Sequence, residues 1–439
     1  MKKHLLFLLL FVATAQLNAQ QVIKVTNTNE SGAGSLKAGI TSVLNKSKPG
    51  AENGYIVEVD ESLRGKTITL NSRILHHVDG IYTIKGNGII LTAGNKIDPR
   101  AINKQLFDLN PASSPVVVED ITFLNCDVNA YYADHLTFRN CRFINNNVRP
   151  LCLRITGTGR GRVIANTPKV ILEGCSFIST GNQPVVSITY PPYNDDDPPH
   201  AGAWYGFPIR AEFTSCSFLS TGVSNTEANI IAYRDHALAQ KEAEITLTNC
   251  VLVDHHSSEK SSLFAPVIKS NGYNVIKGSI DPSVQTNQLL TTGKDLLNTT
   301  MADPITQEDN FLKVVENGTA YQNLPANTLF SGFPLPVKDV SGRIIDYTQP
   351  THSGACQLLV GQSGIENISL TASVYPNPFS DYIIVNTREN SQVVVYNLSG
   401  QAVAETTFVA GENRMNLSHL AAGAYLLKYG THVLKLIAR

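Results

Sequence analysis

Five short segments of the chain repeat one pattern of apolar and polar positions. In each, the first and third residues are apolar, the second and fourth are mostly polar, the fifth is Asn, Gly or Ser, and the sixth is Cys. A large apolar residue follows the Cys two positions later. This alternation predicts a β-strand with one buried face. The segments are Ile121–Cys126, Leu136–Cys141, Val170–Cys175, Ala211–Cys216 and Ile245–Cys250, followed by Val128, Phe143, Phe177, Phe218 and Leu252.

The fifth position of the pattern interrupts the alternation. Gly and Asn are the residues that best tolerate a left-handed backbone, so this position predicts a sharp corner between two strands. After the corner, the Cys and the large residue two places further on point inward again. Repeats of this kind, stacked in register, predict a parallel β-solenoid whose interior holds columns of aliphatic, aromatic and Cys side chains.

The repeated Cys is predicted to form one buried column of reduced thiols. Neighbouring strands lie about 4.8 Å apart, whereas a disulfide needs Cβ atoms about 3.8 Å apart. Thiols stacked along a line also do not converge on one point, as a tetrahedral zinc site requires. The column contains Cys126, Cys141, Cys175, Cys216 and Cys250, and the sequence leaves Cys152 and Cys356 unassigned.

Three of the intervals between repeats hold one more apolar strand each, at 151–155, 185–189 and 229–233. Most of the remaining residues in these intervals follow that strand. We therefore expect three consecutive coils of the solenoid to carry long loops on the same side. The short interval between Cys126 and Cys141 is the weakest part of this register.

The N-terminus is typical of a secretory signal peptide. Lys2 and Lys3 precede an apolar run from Leu5 to Ala13, and small residues lead to a predicted cleavage site after Ala19. The apolar run is shorter than the roughly 20 residues that a membrane helix needs, and no later stretch approaches that length. We therefore expect no transmembrane segment.

Composition agrees with an all-β protein that has a large core. Hydrophobic residues make up 42% of the chain and charged residues 16%, and the 31 Gly and 21 Pro supply many turns. The 35 basic residues balance the 36 acidic ones, so no net charge would attract nucleic acid.

Three further motifs resemble the secreted right-handed parallel β-helix proteins of Bacteroidota. The segment Val25–Ile40 is similar to their opening, in which a strand and a Ser-Gly-x-Gly-Ser-Leu turn lead to a capping helix. The segment Ser270–Ile276 resembles their Gly-Tyr-Asn-Leu-Ile turn, and Lys338–Arg343 with Ser353–Gln357 resembles their closing segment. The closing aromatic and acidic residues are replaced here by Cys356 and Gln357. The resemblance implies a fold and no particular activity.

The C-terminal segment resembles the type A sorting domain of the type IX secretion system. The match begins at Val374-Tyr-Pro-Asn-Pro-Phe379 and continues in order through Tyr396–Gln401, Leu417–Leu426 and Lys435–Arg439. Short apolar runs separated by turns independently predict a small β-sandwich here. The resemblance implies the secretion machinery as a partner, export through the periplasm, removal of the sorting domain, and either release or attachment to the outer cell surface.

These observations predict an all-β chain in which a right-handed, single-stranded parallel β-helix precedes a small C-terminal β-sandwich. We expect an irregular cap to cover the open end of the helix, because its last strand edge needs cover. The predicted divisions are a signal peptide (1–19), the β-helix with its N-terminal cap (20–288), the irregular C-terminal cap (289–360), a linker (361–372) and the sorting domain (373–439).

The richest candidate binding site is the longest predicted loop, 190–207, which holds the only Trp of the chain. Aromatic faces beside acidic groups suit sugar recognition, because rings stack on C–H faces and hydroxyls donate to oxygen acceptors. The alternatives are calcium binding by three consecutive acids, or a loop whose aromatics pack back on the coil. The candidate binding residues in this loop are Tyr190, Tyr193, His200, Trp204 and Tyr205, and the calcium alternative uses Asp195, Asp196 and Asp197.

Other polar residues follow the strands of neighbouring coils. Arg234-Asp235-His236 follows one strand and Asp254-His255-His256 another, and Arg154 lies in a third. A polysaccharide lyase needs a base and a cation that neutralises the substrate carboxylate, which Arg154, Arg234 or Lys260 could supply. No spacing fixes such a site. We therefore list Arg154, Arg234, Asp235 and His236 as binding residues and name no catalytic residue.

The sequence thus favours an exported protein that binds a polysaccharide, a surface glycan, or a matrix or host partner through loops on one face. We expect no cofactor, with calcium as the alternative, and no nucleic-acid partner. The competing hypothesis is a divergent β-helix polysaccharide lyase or glycoside hydrolase.

The secreted form should lack both ends of the chain. We expect mass spectrometry of the extracellular protein to find an N-terminus near Gln20 and a C-terminus before about Ser373. Recovery of secreted protein that still ends at Arg439 would contradict removal of the sorting domain.

Overall fold

The computed structural model describes residues 21–44, 54–78, 82–94, 107–111, 115–131, 136–145, 153–156, 169–189, 209–226, 228–234, 243–265, 267–281, 294–308, 311–360, 377–387, 390–397, 400–409, 411–429 and 432–439. The chain divides into two compact units, Met1–Gln362 and Ser363–Arg439. The predicted signal peptide and linker lie outside the described residues.

The described residues of the first unit form one α-helix, α1 (Leu36–Leu44), a 3-10 turn at Glu61–Leu63, and 25 strands. In chain order the strands are β1 (Gln21–Val25), β2 (Tyr55–Val59), β3 (Thr67–Leu70), β4 (Ile74–Val78), β5 (Tyr82–Ala93), β6 (Phe107–Pro111), β7 (Val116–Leu124), β8 (Val128–Tyr131), β9 (Leu136–Arg139), β10 (Arg142–Asn145), β11 (Leu153–Thr156), β12 (Lys169–Glu173), β13 (Ser176–Ser179), β14 (Val186–Thr189), β15 (Arg210–Thr214), β16 (Ser217–Ser220), β17 (Ala228–Arg234), β18 (Glu244–Thr248), β19 (Val251–Asp254), β20 (Ser261–Phe264), β21 (Val267–Gly272), β22 (Val275–Lys277), β23 (Leu296–Leu297), β24 (Ile305–Glu308) and β25 (Phe311–Val314).

The strands wind into a parallel solenoid with three faces. The first face consists of β1, β2, the starts of β5 and β7, then β9, β12, β15, β18 and β21. The second consists of β3, the ends of β5 and β7, then β10, β13, β16, β19, β22 and β23. The third consists of β4, β6, β8, β11, β14, β17 and β20. The predicted fold class, an all-β parallel helix followed by a small antiparallel unit, is confirmed.

The corner between the first and second faces is left-handed in successive coils. Asn140, Gly174, Ser215 and Asn249 have φ values of 52°, 61°, 50° and 53°. The backbone N–H of Asn140 donates to the Glu173 carbonyl of the next coil at 2.9 Å, and that of Ser215 to Thr248 at 2.8 Å. The predicted strand, corner, strand unit is therefore present in these four coils.

Phenylalanines form a continuous stack inside the second face. The rings of Phe123, Phe143, Phe177 and Phe218 lie 5.1, 4.7 and 4.7 Å apart along the solenoid, with interplanar angles of 19°, 4° and 3°. Aromatic pairs contribute about 0.5–1.5 kcal/mol each beyond the area that they bury. The in-register coils therefore place the largest side chains where they stabilise one another.

The thiol column contains four of the five predicted cysteines. Cys141, Cys175, Cys216 and Cys250 are fully buried, and each Sγ lies 3.3–3.5 Å from a carbonyl oxygen of the preceding coil. All four are reduced. Burial raises the pKa of the Cys141 and Cys216 thiols well above the ordinary value.

The assignment of Cys126 to this column is wrong. Strand β10 pairs with β7 so that Phe143 lies opposite Phe123, which places Ile121 in the position before Phe123 that corresponds to Cys141. The corner of that coil is Asp120, with φ 55°. Cys126 instead lies between β7 and β8, at the bend from the second face to the third, where it is also buried. The predicted left-handed residue before it is present, since Asn125 has φ 50°, but it forms the corner to the third face.

The outer surface of the first face carries charges of alternating sign on successive coils. Lys24 Nζ lies 2.6 Å from Glu58, and Lys85 lies 3.9 Å from Glu119. Arg139 contacts both neighbours, Glu119 at 3.6 Å and Glu173 at 2.8 Å. Because parallel stacking sets equivalent positions side by side, opposite charges on adjacent coils favour this register over its shifted alternatives.

Helix α1 covers the start of the interior. Leu36, Ile40 and Val43 are buried in the same core as the strands, and Ser35 Oγ accepts a hydrogen bond from the Ala38 N–H at 3.2 Å, which caps the helix. The opening motif therefore has the expected order of strand, glycine turn and helix.

Residues 301–308 and 311–360 form a segment, here called the strap, that lies along the outside of the second face. Its Ile305, Leu312 and Val314 pack against outward-facing apolar residues of five successive coils, among them Ile144 and Val253. The strap thus covers the side of the second face, and the division of 289–360 as a cap of the open end stays a prediction. At the open end, β23 extends the second face by pairing with β22.

Backbone and side-chain hydrogen bonds fix the strap to the coils. Ser217 Oγ accepts the Ala355 N–H at 2.8 Å, and the Gly354 N–H donates to the Asn249 carbonyl at 2.9 Å. Gly354 has φ 96°, and a Cβ there would lie 2.4 Å from Ser217 Oγ. The Arg142 guanidinium lies 4.6 Å from the Phe311 ring centroid.

The part of the second unit that the structure describes forms six strands: β26 (Tyr382–Thr387), β27 (Ser391–Asn397), β28 (Ala402–Phe408), β29 (Gly411–Asn416), β30 (Gly423–Tyr429) and β31 (His432–Ala438). They form two antiparallel sheets, β26 with β29, and β28-β27-β30-β31. Phe379, Ile383, Val395 and Leu427 are among the residues of their shared core.

The buried cysteines generate a test of the register. All six described cysteines are buried, so we expect a thiol reagent to label at most one of the seven, Cys152, before the protein unfolds. Replacement Cys175→Ser should lower the free energy of unfolding by about 1–3 kcal/mol, because it buries a hydroxyl in a space that fits a thiol. Rapid labelling of several thiols in the folded protein would contradict the buried column.

Candidate functional site

Three long connections begin at one edge of the third face. Strands β11, β14 and β17 are neighbours, and their last residues, Thr156, Thr189 and Arg234, stand in register. The connections that follow them, 157–168, 190–208 and 235–242, all start from this edge and lie outside the described residues. We expected three consecutive coils to carry their long loops on the same side. The register of the three strand ends agrees with this expectation.

Most of the predicted binding residues belong to these connections. Tyr190, Tyr193, His200, Trp204, Tyr205, Asp235 and His236 lie outside the described residues, as do Asp195, Asp196 and Asp197 of the calcium alternative. Their roles stay predictions.

The two remaining predicted residues, Arg154 and Arg234, lie in the same sheet. Arg154 in β11 is in register with Ser187 in β14, which is in register with Ala232 in β17. Arg234 comes two positions after Ala232. The two Cα atoms are thus about 10 Å apart across the sheet and about 7 Å apart along it.

Arg154 belongs to an outward-facing row on the third face, in which Phe264 is also partly exposed. Its register neighbours Asn129 and Ser187 are each only 3% exposed, and Ala232 is fully buried. Arg154 itself is partly exposed. This position therefore presents a cation at the edge from which the long connections start.

Asp127, which the sequence interpretation did not select, lies close enough to Arg154 to interact electrostatically. It directly precedes β8, and its Oδ1 atom is inaccessible to solvent and accepts no hydrogen bond from a described residue. Burial raises the pKa of the Asp127 carboxyl to about 7, and the Arg154 charge opposes this rise. An acidic group that titrates near neutrality beside a cation is a recurrent feature of functional sites. The signal in the sequence was an acid placed at a bend between two buried strands.

The candidate cluster Asp254-His255-His256 has a structural role. Asp254 is buried, and its Oδ2 accepts hydrogen bonds from Ser262 Oγ at 2.7 Å and from Asn229 Nδ2 at 3.1 Å. Its Oδ1 accepts the His256 N–H at 2.9 Å. With these bonds Asp254 holds the turn between β19 and β20 and is not presented to a ligand.

The two histidines of this cluster, His255 and His256, each interact with a different acidic side chain. His255 Nε2 lies 3.2 Å from Asp303 of the strap, and His256 Nδ1 lies 2.7 Å from Glu259. Lys260, one of the proposed cations, donates from Nζ to the Thr226 carbonyl. The cluster therefore does not gather into one catalytic site.

Comparison with known proteins identifies the C-terminal unit. Residues 373–438 match the model of a family described as the secretion system C-terminal sorting domain. No curated protein and no solved structure matches the chain significantly. The tail is a type IX sorting tail, and the chain is an exported protein that is secreted or displayed on the cell surface.

Two searches of the described residues complete the account of the site. No helix among them is long and apolar enough to cross a membrane. No group of three or more His, Cys, Asp or Glu side chains in the described ranges is arranged to hold a metal ion.

Asp127 should make the stability of the protein depend on pH. Its pKa is raised from 3.8 to about 7 on folding, so the folded state binds the proton more tightly. The stabilisation is complete below pH about 4 and is lost as the pH rises through about 7. We expect Asp127→Asn to melt at a higher temperature than the wild type at pH 8, and expect this advantage to disappear near pH 4.

The exposed Asp346 provides the control for this experiment. Hydrogen bonds from Thr348 lower the pKa of its carboxyl, so its contribution is lost as the pH falls, the opposite sign. Asp346→Asn should therefore give no gain at pH 8. Equal melting temperatures for wild type and Asp127→Asn at every pH would show that the Asp127 carboxyl is not buried in the folded protein.

Proposed function

We propose that this exported β-helix binds a polysaccharide or surface glycan at the edge of the third face where the three long connections start. The observation that carries the proposal is the register of Thr156, Thr189 and Arg234, which brings three insertions to one edge beside Arg154. Repeat proteins commonly carry their binding face where the insertions of successive repeats gather. The connection 190–208 contributes the only Trp of the chain.

The arginines at and near this edge, Arg234 and Arg154, favour a glycan that carries some acidic groups. The same surface would serve a matrix or host partner if that partner presents sugars. Binding without a cofactor is proposed, and the alternative is a calcium ion held by Asp195, Asp196 and Asp197. Addition of a chelator separates the two, because only calcium-dependent binding is lost.

The second candidate function is a polysaccharide lyase or glycoside hydrolase, and Asp127 is the observation that favours it. A carboxyl with a pKa of about 7 can act as a base near neutral pH, and Arg154 would neutralise a substrate carboxylate. A panel of polysaccharides assayed both for retention and for release of unsaturated or reducing ends distinguishes an enzyme from a binding protein. Loss of release in Asp127→Asn would support the enzyme.

Replacement of the loop aromatic tests the binding proposal. If Trp204 stacks on a sugar, Trp204→Ala should weaken binding to the glycan found in the panel by about 1–3 kcal/mol. The melting temperature should hardly change, because Trp204 lies in a connection and not in a coil strand. Affinity is measured by titration and stability by a thermal melt.

Val360→Ala is the matched control, since Val360 is an exposed apolar residue of the strap. It should leave affinity unchanged. Unaltered affinity in Trp204→Ala together with a much lower melting temperature would show that Trp204 packs on the solenoid, and the proposed site would be rejected.

A further inference from the structure

The strap contains a concave pocket of about 430 Å³ that is separate from the loop-bearing edge. Its walls include the aromatic residues Phe330, Phe333 and Tyr347 and the ring of Pro334. None of the described residues that line it carries a charge. Pockets that bind small ligands typically have this composition, with mostly apolar walls and a few polar groups.

Backbone hydrogen bonds hold the two sides of the pocket together. Leu324 and Thr351 exchange two of them, at 3.1 and 2.9 Å, and the Asn327 N–H donates to the Tyr347 carbonyl at 2.7 Å. The Tyr347 hydroxyl donates to the Pro336 carbonyl at 3.0 Å. The pocket is therefore shaped before any ligand enters, so binding requires little ordering of the chain.

The aromatic wall is anchored to the last coils of the solenoid. The Phe330 ring meets the Tyr273 ring edge to face, with centroids 6.0 Å apart. The Asn323 amide donates to the Tyr273 carbonyl at 3.2 Å. Tyr273 is part of a left-handed corner of the coil, with φ 62°. Its contacts with Phe330 and Asn323 therefore fix the position of the pocket wall relative to the coil.

The polar groups of the pocket are arranged as hydrogen-bond acceptors. Thr328 Oγ1 donates its hydrogen to the Pro325 carbonyl at 2.7 Å, and Thr348 Oγ1 donates to Asp346 at 2.6 Å. With their hydrogens engaged, both hydroxyls offer lone pairs to a ligand. The exposed Asn327 side chain adds an amide that can both donate and accept.

We propose that this pocket binds an uncharged sugar unit. Aromatic and proline rings pack against the C–H faces of a sugar, and the threonine oxygens accept hydrogen bonds from its hydroxyls. A charged ligand would lose hydration without gaining a counter-charge. A purely aliphatic ligand would leave the polar groups of the rim without partners. The inference rests on the proposed function for its class of ligand, and it adds a second, neutral subsite far along the chain from the loop 190–208.

Titration of the full-length protein with small probes tests the pocket directly. The probes are cellobiose, maltose, N,N′-diacetylchitobiose, a glucuronate-containing disaccharide and 1-hexanol, followed by calorimetry and saturation-transfer NMR. We expect at least one neutral disaccharide to bind, and to bind more tightly than the acidic one. Phe333→Ala should weaken that binding by about tenfold or more, since it removes a stacking face.

Two further variants keep the result decisive. Val337→Ala changes an apolar residue of the same segment that is 71% exposed and does not line the pocket, so affinity should stay within about twofold of wild type. Thr348→Val removes one acceptor at nearly constant shape and should also weaken binding, whether or not Phe333→Ala folds. Absence of disaccharide binding, equal affinity in Phe333→Ala and Thr348→Val, or preference for hexanol would each overturn the proposal.

A parallel titration of Trp204→Ala separates this inference from the proposed function. Trp204→Ala should lose affinity for the panel glycan and keep the disaccharide affinity of the wild type. Unchanged panel-glycan affinity in Trp204→Ala rejects the edge and leaves the pocket standing, whereas unchanged disaccharide affinity in Phe333→Ala and Thr348→Val rejects the pocket and leaves the edge standing.

Discussion

The structure depends on the left-handed corner that joins the first and second faces. At Asn140, Gly174, Ser215 and Asn249 the backbone takes positive φ values that cost little for Gly and Asn. Each corner N–H is bonded to a carbonyl of the next coil. Because the corners superpose, the strands before and after them are fixed in register as well. The phenylalanine stack and the thiol column are consequences of this superposition.

Stacking in register places equivalent residues of successive coils side by side. This stabilises apolar side chains in the interior and destabilises charges of the same sign on the surface. Apolar residues gain from contact with their own kind, and Phe143, Phe177 and Phe218 do so at 4.7 Å. Charges of one sign would repel at the same spacing. The first face avoids this repulsion by alternating signs from Lys24 to Glu173, and the two coils beyond Glu173 carry Thr214 and Thr248. A surface position in this fold is thus constrained by its neighbours above and below.

The sequence predicted those parts of the fold that depend on residues close together in the chain. The alternation and the Asn, Gly or Ser corners predicted the strands of four coils and the edge from which the loops start. Cys126 was misplaced because Ile121–Cys126 has the same alternation as a corner segment, and only pairing between coils shows that the corner is at Asp120.

The position of the strap could not be derived in the same way. An amphipathic segment can cover an end or a side of the solenoid, and the choice depends on contacts with residues far away in the chain, such as Ala355 with Ser217. For the same reason the candidate sites were found only in part. Arg154 was selected because it lies in a recognisable strand. Asp127 was missed because its burial and its neighbour come from another coil, and the strap pocket because its walls join separated residues.

The three faces differ in what they leave available for binding. The second face is covered by the strap, whose Leu312 and Val314 are buried against it. On the first face the ion pairs occupy one outward row, and a ligand on that row would have to displace contacts such as Arg139 with Glu173 at 2.8 Å. The third face differs in that Arg154 and Arg234 lie in its strands at or near the edge from which three long connections start. A ligand can therefore be accommodated at this edge by changing loop residues, without disturbing the stacking on which the fold depends.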